Sequence, residues 1–166
     1  MDILIEKAKP ADAKGVIEYL KQVGGETDNL SFGSEGVPFT VEAEAQYLAH
    51  IYESKNSILL LAKENEKIIG CASLNRLSNR MKHRGDFSVT VLREYWNRGI
   101  GRQLMDKIME YATENAFEYI DLQVRSDNLA AIHLYRKKGF VKIGSHPAFF
   151  KINGKDVAID YMCLKL

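Results

Sequence analysis

Two stretches of this 166-residue chain carry residue types that could do chemistry. The first is Arg98-Gly99-Ile100-Gly101-Arg102, two glycines set between arginines. Glycines let successive backbone N–H groups converge with no Cβ in the way. The apolar-biased run Phe87–Leu92 before them reads as a strand, and the periodic segment Arg102–Thr113 after them as a helix. A helix start adds unpaired donors and the positive end of its dipole. The pattern suits a pyrophosphate, and it equally suits an ordinary tight turn. No Gly-Lys-Ser/Thr follows, so it is not a P-loop, and the three-glycine dinucleotide pattern is missing. The second stretch is Val124–Phe140. Asp127 or Asn128 stands as a helix cap, Ala131, Ile132, Leu134 and Tyr135 form an apolar face, and Gly139 is the stop. Its chemical group is the Tyr135 phenol, which structure alone requires only for packing.

The elements that must position these groups follow from periodicity. Ile3–Lys7 reads as a first strand, and Pro10-Ala11-Asp12-Ala13 opens a helix with Asp12 as cap that Gly24-Gly25 ends. Residues 24–38 form a loop whose Leu30 and Phe32, with Phe39 just beyond, either pack on the core or wall a substrate pocket. Thr40-Val41-Glu42-Ala43 is a near capping box for a helix with Ala43, Tyr47, Leu48 and Ile51 as its stripe. Strands at Ile58–Lys63, Ile68–Leu74 and His83–Leu92, joined by turns at Glu64–Lys67 and Ser78–Lys82, make three antiparallel neighbours. Beyond the glycine turn, Leu104, Ile108, Met109 and Ala112 repeat at helical spacing. Tyr119–Val124 then reads as a strand parallel to the one before the turn, because a helix connects them. Asn153-Gly154 marks a last hairpin, with Val157–Leu166 as its second strand. One mixed α/β domain spanning residues 1–166 accounts for the whole length.

Composition narrows the partners. Lys plus Arg total 23 against 22 for Asp plus Glu, so no nucleic-acid tail or polybasic membrane patch is expected. No apolar run reaches membrane-spanning length and no signal peptide is evident, which makes the cytoplasm the default compartment. Cys71 and Cys163 both fall in strand-like runs and read as buried thiols. No metal set is evident.

Both stretches resemble the GNAT superfamily of N-acetyltransferases, small bacterial members in particular. Trp96-Asn97-Arg98-Gly99-Ile100-Gly101 is similar to the family's acyl-CoA loop, Arg/Gln-x-x-Gly-x-Gly/Ala, with Trp96 in the usual Arg/Gln place. Asn128, Ala131, Ile132, Leu134, Tyr135, Lys137, Gly139 and Phe140 match Asn-x-x-Ala-Ile-x-Leu-Tyr-x-Lys-x-Gly-Phe. The likeness covers residues 3–166 in element order and is most specific from about 58 to 143. It implies an α/β (α+β) fold: a mixed central sheet with antiparallel N-terminal strands, a parallel splayed pair at the acetyl-CoA site, and about four flanking helices. It implies a strand bulge that opens the gap for pantetheine.

The resemblance also implies roles. Val89 and Val91 backbone groups would hold the pantetheine and polarise the thioester carbonyl. Asn97, Arg98, Gly99, Ile100, Gly101, Arg102 and Gln103 would take the pyrophosphate, and Asn128 would contact the cofactor. Tyr135 would protonate the leaving thiolate. The implied reaction is direct transfer from acetyl-CoA, as cosubstrate and without a metal, to a primary amine of a small molecule, amino acid or peptide. A non-catalytic acyl-CoA-binding protein of the same fold is the alternative. Relatives that acetylate protein N-termini carry a glutamate where this chain has Gln123, so the base must lie elsewhere: Asp86, Glu35 or a water chain. His83 and His133 read as surface residues. Residues 27–39 and 145–156 should choose the acceptor. Phe149-Phe150 lines the pocket or joins a homodimer interface.

Overall fold

The computed structural model describes residues 2–166. A seven-stranded mixed sheet runs β1-β2-β3-β4-β5-β7-β6. Its strands are β1 (Leu4–Lys7), β2 (Ser57–Glu64), β3 (Lys67–Arg76), β4 (Arg84–Val91), β5 (Tyr119–Arg125), β6 (Val141–Ile152) and β7 (Lys155–Lys165). Four α-helices flank it: α1 (Ala13–Glu26), α2 (Val41–Glu53), α3 (Ile100–Glu114) and α4 (Leu129–Lys137). All neighbouring strands are antiparallel except β4 and β5, which the α3 crossover makes parallel.

Local chemistry sets most boundaries. Asn65 and Glu66 both take positive φ (47° and 68°), as do Asn153 and Gly154 (51° and 74°), the backbone that two-residue hairpins need. The Thr40 hydroxyl accepts from the Ala43 N–H at 3.1 Å and caps α2. Ile100, Leu104, Met105, Ile108, Tyr111 and Ala112 are the buried face of α3.

Three expectations need correcting. Asp12 stands at the α1 N-terminus but caps nothing there. Its carboxylate accepts instead from Lys63 Nζ (2.7 Å) and the Lys9 N–H (2.8 Å). The Gly24-Gly25 pair does not end α1, which continues to Glu26. Gly24 answers a close approach: a Cβ there would lie 2.2 Å from the Gly33 carbonyl oxygen of the following loop. The α2 stripe is rotated as well. Ala43 and Tyr47 are exposed, and the buried set is Glu44, Leu48 and Ile51.

The parallel pair splays. β4 and β5 are in register only over Arg84–Asp86 against Tyr119–Asp121, and beyond that they part. The β3–β4 and β5–β7 ladders run without a register shift. The gap therefore opens by divergence of two regular strands, and the bulge that the resemblance implied is absent from these ladders.

Candidate active site

The splay determines which backbone groups are free. In an antiparallel strand alternate residues turn both N–H and C=O to the same neighbour. Leu92 donates to the Ile69 carbonyl of β3 at 3.0 Å. Thr90 and Ser88 therefore also bond towards β3, while Val91, Val89 and Phe87 turn their polar groups towards the β5 side. The Asp86–Asp121 pairing still ties the Phe87 N–H to β5, and beyond it no β5 partner meets Val89 or Val91. The Val91 carbonyl is taken by the Trp96 indole N–H at 2.7 Å. The N–H groups of Val89 and Val91 and the Val89 carbonyl are left facing the gap, a pattern that an extended amide chain can pair as an added strand.

This gap is one wall of a cleft of about 790 Å³, bounded otherwise by the starts of α3 and α4 and the loop after α1. Asn97 and Gly99 both have positive φ (61° and 76°), and Gly99 is the α3 N-cap. The first helical bond from this turn is Gln103 N–H to the Gly99 carbonyl, 3.0 Å. The N–H groups of Ile100, Gly101 and Arg102 therefore have no helical acceptor, and those three residues line the cleft. A Cβ on Gly101 would meet only Val91 Cγ2 at 3.8 Å, so the space above it is open. Concave N–H groups at the positive end of a helix suit a pyrophosphate.

The loop bearing these donors is pinned from behind. Glu26 accepts from the Arg93 N–H at 2.7 Å, and the Tyr95 hydroxyl donates to Glu64 at 2.6 Å. The Arg98 guanidinium lies 5.0 Å from the centre of the Tyr95 ring. Arg98 and Gln103 side chains are not among the cleft walls, whereas Asn97, Gly99, Ile100, Gly101 and Arg102 are.

From the α4 side, Asn128 caps its helix by accepting from the Ala131 N–H at 3.3 Å. Its amide NH₂ stays available to the cleft that it lines. Tyr135 is buried, edge-on to Phe87 (6.3 Å between ring centres) and tilted against Phe140 (5.8 Å). Its hydroxyl has no protein partner among the described residues, and the ring lines the cleft. Burial pushes this phenol up to about 12, so it holds its proton throughout the neutral range.

Asp86 lies on the opposite face of β4 from Phe87, Val89 and Val91, and the remaining candidates are on other elements. Asp86 pairs across the sheet with Asn75 and, on the parallel side, with Asp121, at the closed end of the gap. The residue keeps open surface, yet burial of the carboxyl and then the Asp121 charge raise it above the ordinary carboxylate range. Asp121 is itself held by Arg84 Nε at 2.7 Å. Glu35 is bound up within its loop: it accepts from the Gly33 N–H at 2.9 Å, and that backbone bond holds its carboxyl low. Gln123 is exposed on β5 opposite Tyr161. Phe149 stacks edge-on with Phe150 and Tyr161 on the final hairpin. Cys71 and Cys163 carry no disulfide; burial, then the Glu44 charge, pushes the Cys71 thiol up to about 12, which leaves it no nucleophile at neutral pH.

Sequence reasoning missed two contributors: Trp96 uses its indole on the strand carbonyl, and exposed His133 stands on the α4 wall, whereas Thr27 and Asn29 line the cleft from within the segment 27–39 expected beside it. The only signal for Trp96 was a lone tryptophan where the motif carries a polar residue.

Comparison with known proteins follows the same lines. The family model described as Acetyltransferase (GNAT) family matches residues 27–140. A GNAT-family acetyltransferase structure from Streptococcus pneumoniae superposes with a TM-score of 0.95 at 33% identity, covering 99% of this chain and 100% of that one. The structure of a putative acetyltransferase of Salmonella typhimurium with its cofactor acetyl-CoA shares the fold at a TM-score of 0.85 and 20% identity, covering 99% of this chain and 94% of that one. The N-alpha-acetyltransferase RimI of Mycobacterium tuberculosis is 30% identical over 57% of this chain, and a spermidine N(1)-acetyltransferase of Vibrio cholerae 28% over 69%. The matched parts are 59% and 66% of those two proteins, and 26% of an uncharacterised Mycobacterium leprae relative. Among the described residues no helix is long and apolar enough to cross a membrane, and no group of metal-binding side chains is found.

Proposed function

This chain belongs to the GNAT acetyltransferase family, and from that premise we propose that it transfers an acetyl group from acetyl-CoA to a primary amine of a small molecule, amino acid or peptide. The observation that carries the proposal is the gap itself. Free strand N–H groups at Val89 and Val91, the open donors at Ile100–Arg102, and the Tyr135 hydroxyl all face one cleft. Those residues fit the cosubstrate: an amide chain for the strand, a diphosphate for the glycine turn. When bound, acetyl-CoA supplies the acetyl thioester.

The chain's own residues then have separable tasks. The Val89 and Val91 N–H groups polarise a carbonyl oxygen and stabilise negative charge that develops on it. Asn128 offers its amide N–H to the same strand-like chain. Asp86, raised above its ordinary range, takes a proton from the incoming ammonium, because only the neutral amine attacks. Tyr135 holds its proton at neutral pH and gives it to the departing sulfur. Base and acid lie on opposite faces of β4, so the gap is the passage through which amine and thioester meet.

A CoA-release screen over polyamines, amino acids, aminoglycosides and peptides tests the proposal. Turnover on at least one amine is expected. Tight acetyl-CoA binding with no turnover on any of them refutes it in favour of an acyl-CoA-binding protein.

A further inference from the structure

Among the described residues three charged side chains are buried: Glu44 (4% exposed), Lys63 (7%) and Asp160 (7%). Two are satisfied. Lys63 pairs with Glu6 at 2.9 Å and Asp12 at 2.7 Å. Asp160 accepts from Ser126 (2.7 Å) and Ser145 (2.9 Å) and pairs with Lys142 at 3.3 Å. The third, Glu44, has no ion pair or side-chain hydrogen bond among the described residues. It occupies a core position of α2, beside Leu48 and Ile51, where an apolar side chain would stabilise the helix packing. No sealed side-chain oxygen or nitrogen lacks a partner among the described residues. The unbonded Glu44 oxygens therefore reach open space.

That space lies on the Cys71 side of β3, the face of the sheet that also carries Asp86. The charge of Glu44 acts on the Cys71 thiol and the Tyr47 phenol. Cys71 pairs with Thr90 across β3 and β4, and Ser73 with Ser88. These four side chains share one face of the sheet with Asp86; Thr90 also borders the cleft, and its hydroxyl lies 2.9 Å from the Tyr19 hydroxyl of α1. Ser88 is exposed, and Cys71, Ser73 and Thr90 are only partly covered. From Cys71 on β3 to the gap beyond β4 is two strand spacings, about 10 Å.

We propose that Glu44 holds a second, non-reacting cationic nitrogen of the acceptor, which makes diamines and amines with an additional positive charge the favoured class. This rests on the N-acetyltransfer reading above. At that remove from the gap Glu44 does not reach the reacting nitrogen, which must shed its charge near Asp86. A monoamine leaves the Glu44 carboxylate unpaired, whereas a diamine pairs it while the other nitrogen enters the gap. Burial raises the Glu44 carboxyl, and a cation beside it favours the ionised form, so binding and ionisation reinforce each other.

The test compares cadaverine with n-pentylamine, matched in length, as acceptors for wild type, Glu44→Gln and Glu44→Asp. Wild type is expected to favour cadaverine in kcat/KM by about tenfold or more, the range of a hydrogen bond to a charged group. Glu44→Gln should lose most of that preference through KM, and Glu44→Asp should keep part of it. Both amines are read on one preparation, so any loss of folded protein cancels in the ratio. An unchanged ratio in Glu44→Gln overturns the assignment. Calorimetric titration of cadaverine into the protein with CoA judges Glu44 independently of turnover: equal binding by wild type and Glu44→Gln overturns it. Absence of turnover on every amine overturns the acetyltransfer reading instead.

Discussion

The two glycines of the α3 turn should fail in opposite ways when replaced. Gly99 sits at φ 76° and ψ 6°, and a Cβ there would meet nothing within 4 Å. Its replacement is therefore costly through backbone conformation alone. Gly99→Ala should cost about 1–2 kcal/mol for an L-residue in the left-handed region. For a domain of this size each kcal/mol moves Tm by roughly 2–4 °C, so a fall of about 2–8 °C is expected. Gly101 lies inside α3 with no positive φ, and a Cβ would touch only Val91 Cγ2. The fold does not require glycine there, since alanine gains about 1 kcal/mol over glycine in a helix and valine up to about 0.5 kcal/mol. Gly101→Val should melt at or slightly above the wild-type temperature. Its isopropyl group, however, stands where the free N–H groups of the first turn converge. Loss of two charge-assisted bonds at about 1.5–3 kcal/mol each should weaken acetyl-CoA binding roughly 10²- to 10⁴-fold. Scanning calorimetry and titration calorimetry with acetyl-CoA read the two effects separately. Wild-type affinity in Gly101→Val would refute the pyrophosphate cradle, and a large fall in its Tm would refute the claim that only a ligand needs this glycine.

Tyr135→Phe removes a hydroxyl with no protein partner, so Tm should hold while kcat falls by about 10²-fold; an unchanged kcat in steady-state CoA release sinks the acid role. Asp86 works ionised, so with its carboxyl raised the rate should climb with pH through a point above the ordinary carboxylate range. Asp86→Asn should lower kcat and erase that limb, and an identical pH–rate profile rules Asp86 out as the base. Lys63 binds two carboxylates in a nearly covered site, and Lys63→Met should cost about 2 kcal/mol by urea unfolding, below the usual figure for a sealed pair because Glu6 is a quarter exposed. Glu6 is lowered and Lys63 raised, so this contribution should be present between roughly pH 4.5 and 10.5 and be lost as pH falls through the lowered Glu6 value or rises through the raised Lys63 value. A Lys63→Met penalty that persists undiminished as pH falls through the lowered Glu6 value counts against the ion pair.

What the sequence discloses depends on how local the cause is. Asn153-Gly154 and Asn65-Glu66 set their own turns, and Thr40 caps its own helix, so these were legible. The glycine turn and the Asn128…Tyr135 helix were legible because their motifs are contiguous. Non-local causes were not. Gly24 looks like a helix stop until Gly33 is seen lying against it. Glu44 sits one step from Ala43 on the helical wheel, and a periodicity reading favours the apolar neighbour. Asp12 looks like a cap because Lys63, far along the chain, leaves no trace beside it. The splay was expected from the family resemblance and not from the residues of either strand: it is a relation between β4 and β5, and neither carries an irregular ladder of its own.

The indole that closes the Val91 carbonyl has a further consequence. Trp96 is the one tryptophan in the chain, 45% exposed and on the wall of the cleft. The Arg93 guanidinium lies 5.6 Å from its ring centre. All tryptophan emission therefore arises from a single chromophore at the mouth of the site. A molecule that pairs with the strand edge must lie against that ring, changing its polarity and its exposure to quenchers. The protein thus carries an intrinsic optical gauge of occupancy, readable without a label at every step of a titration.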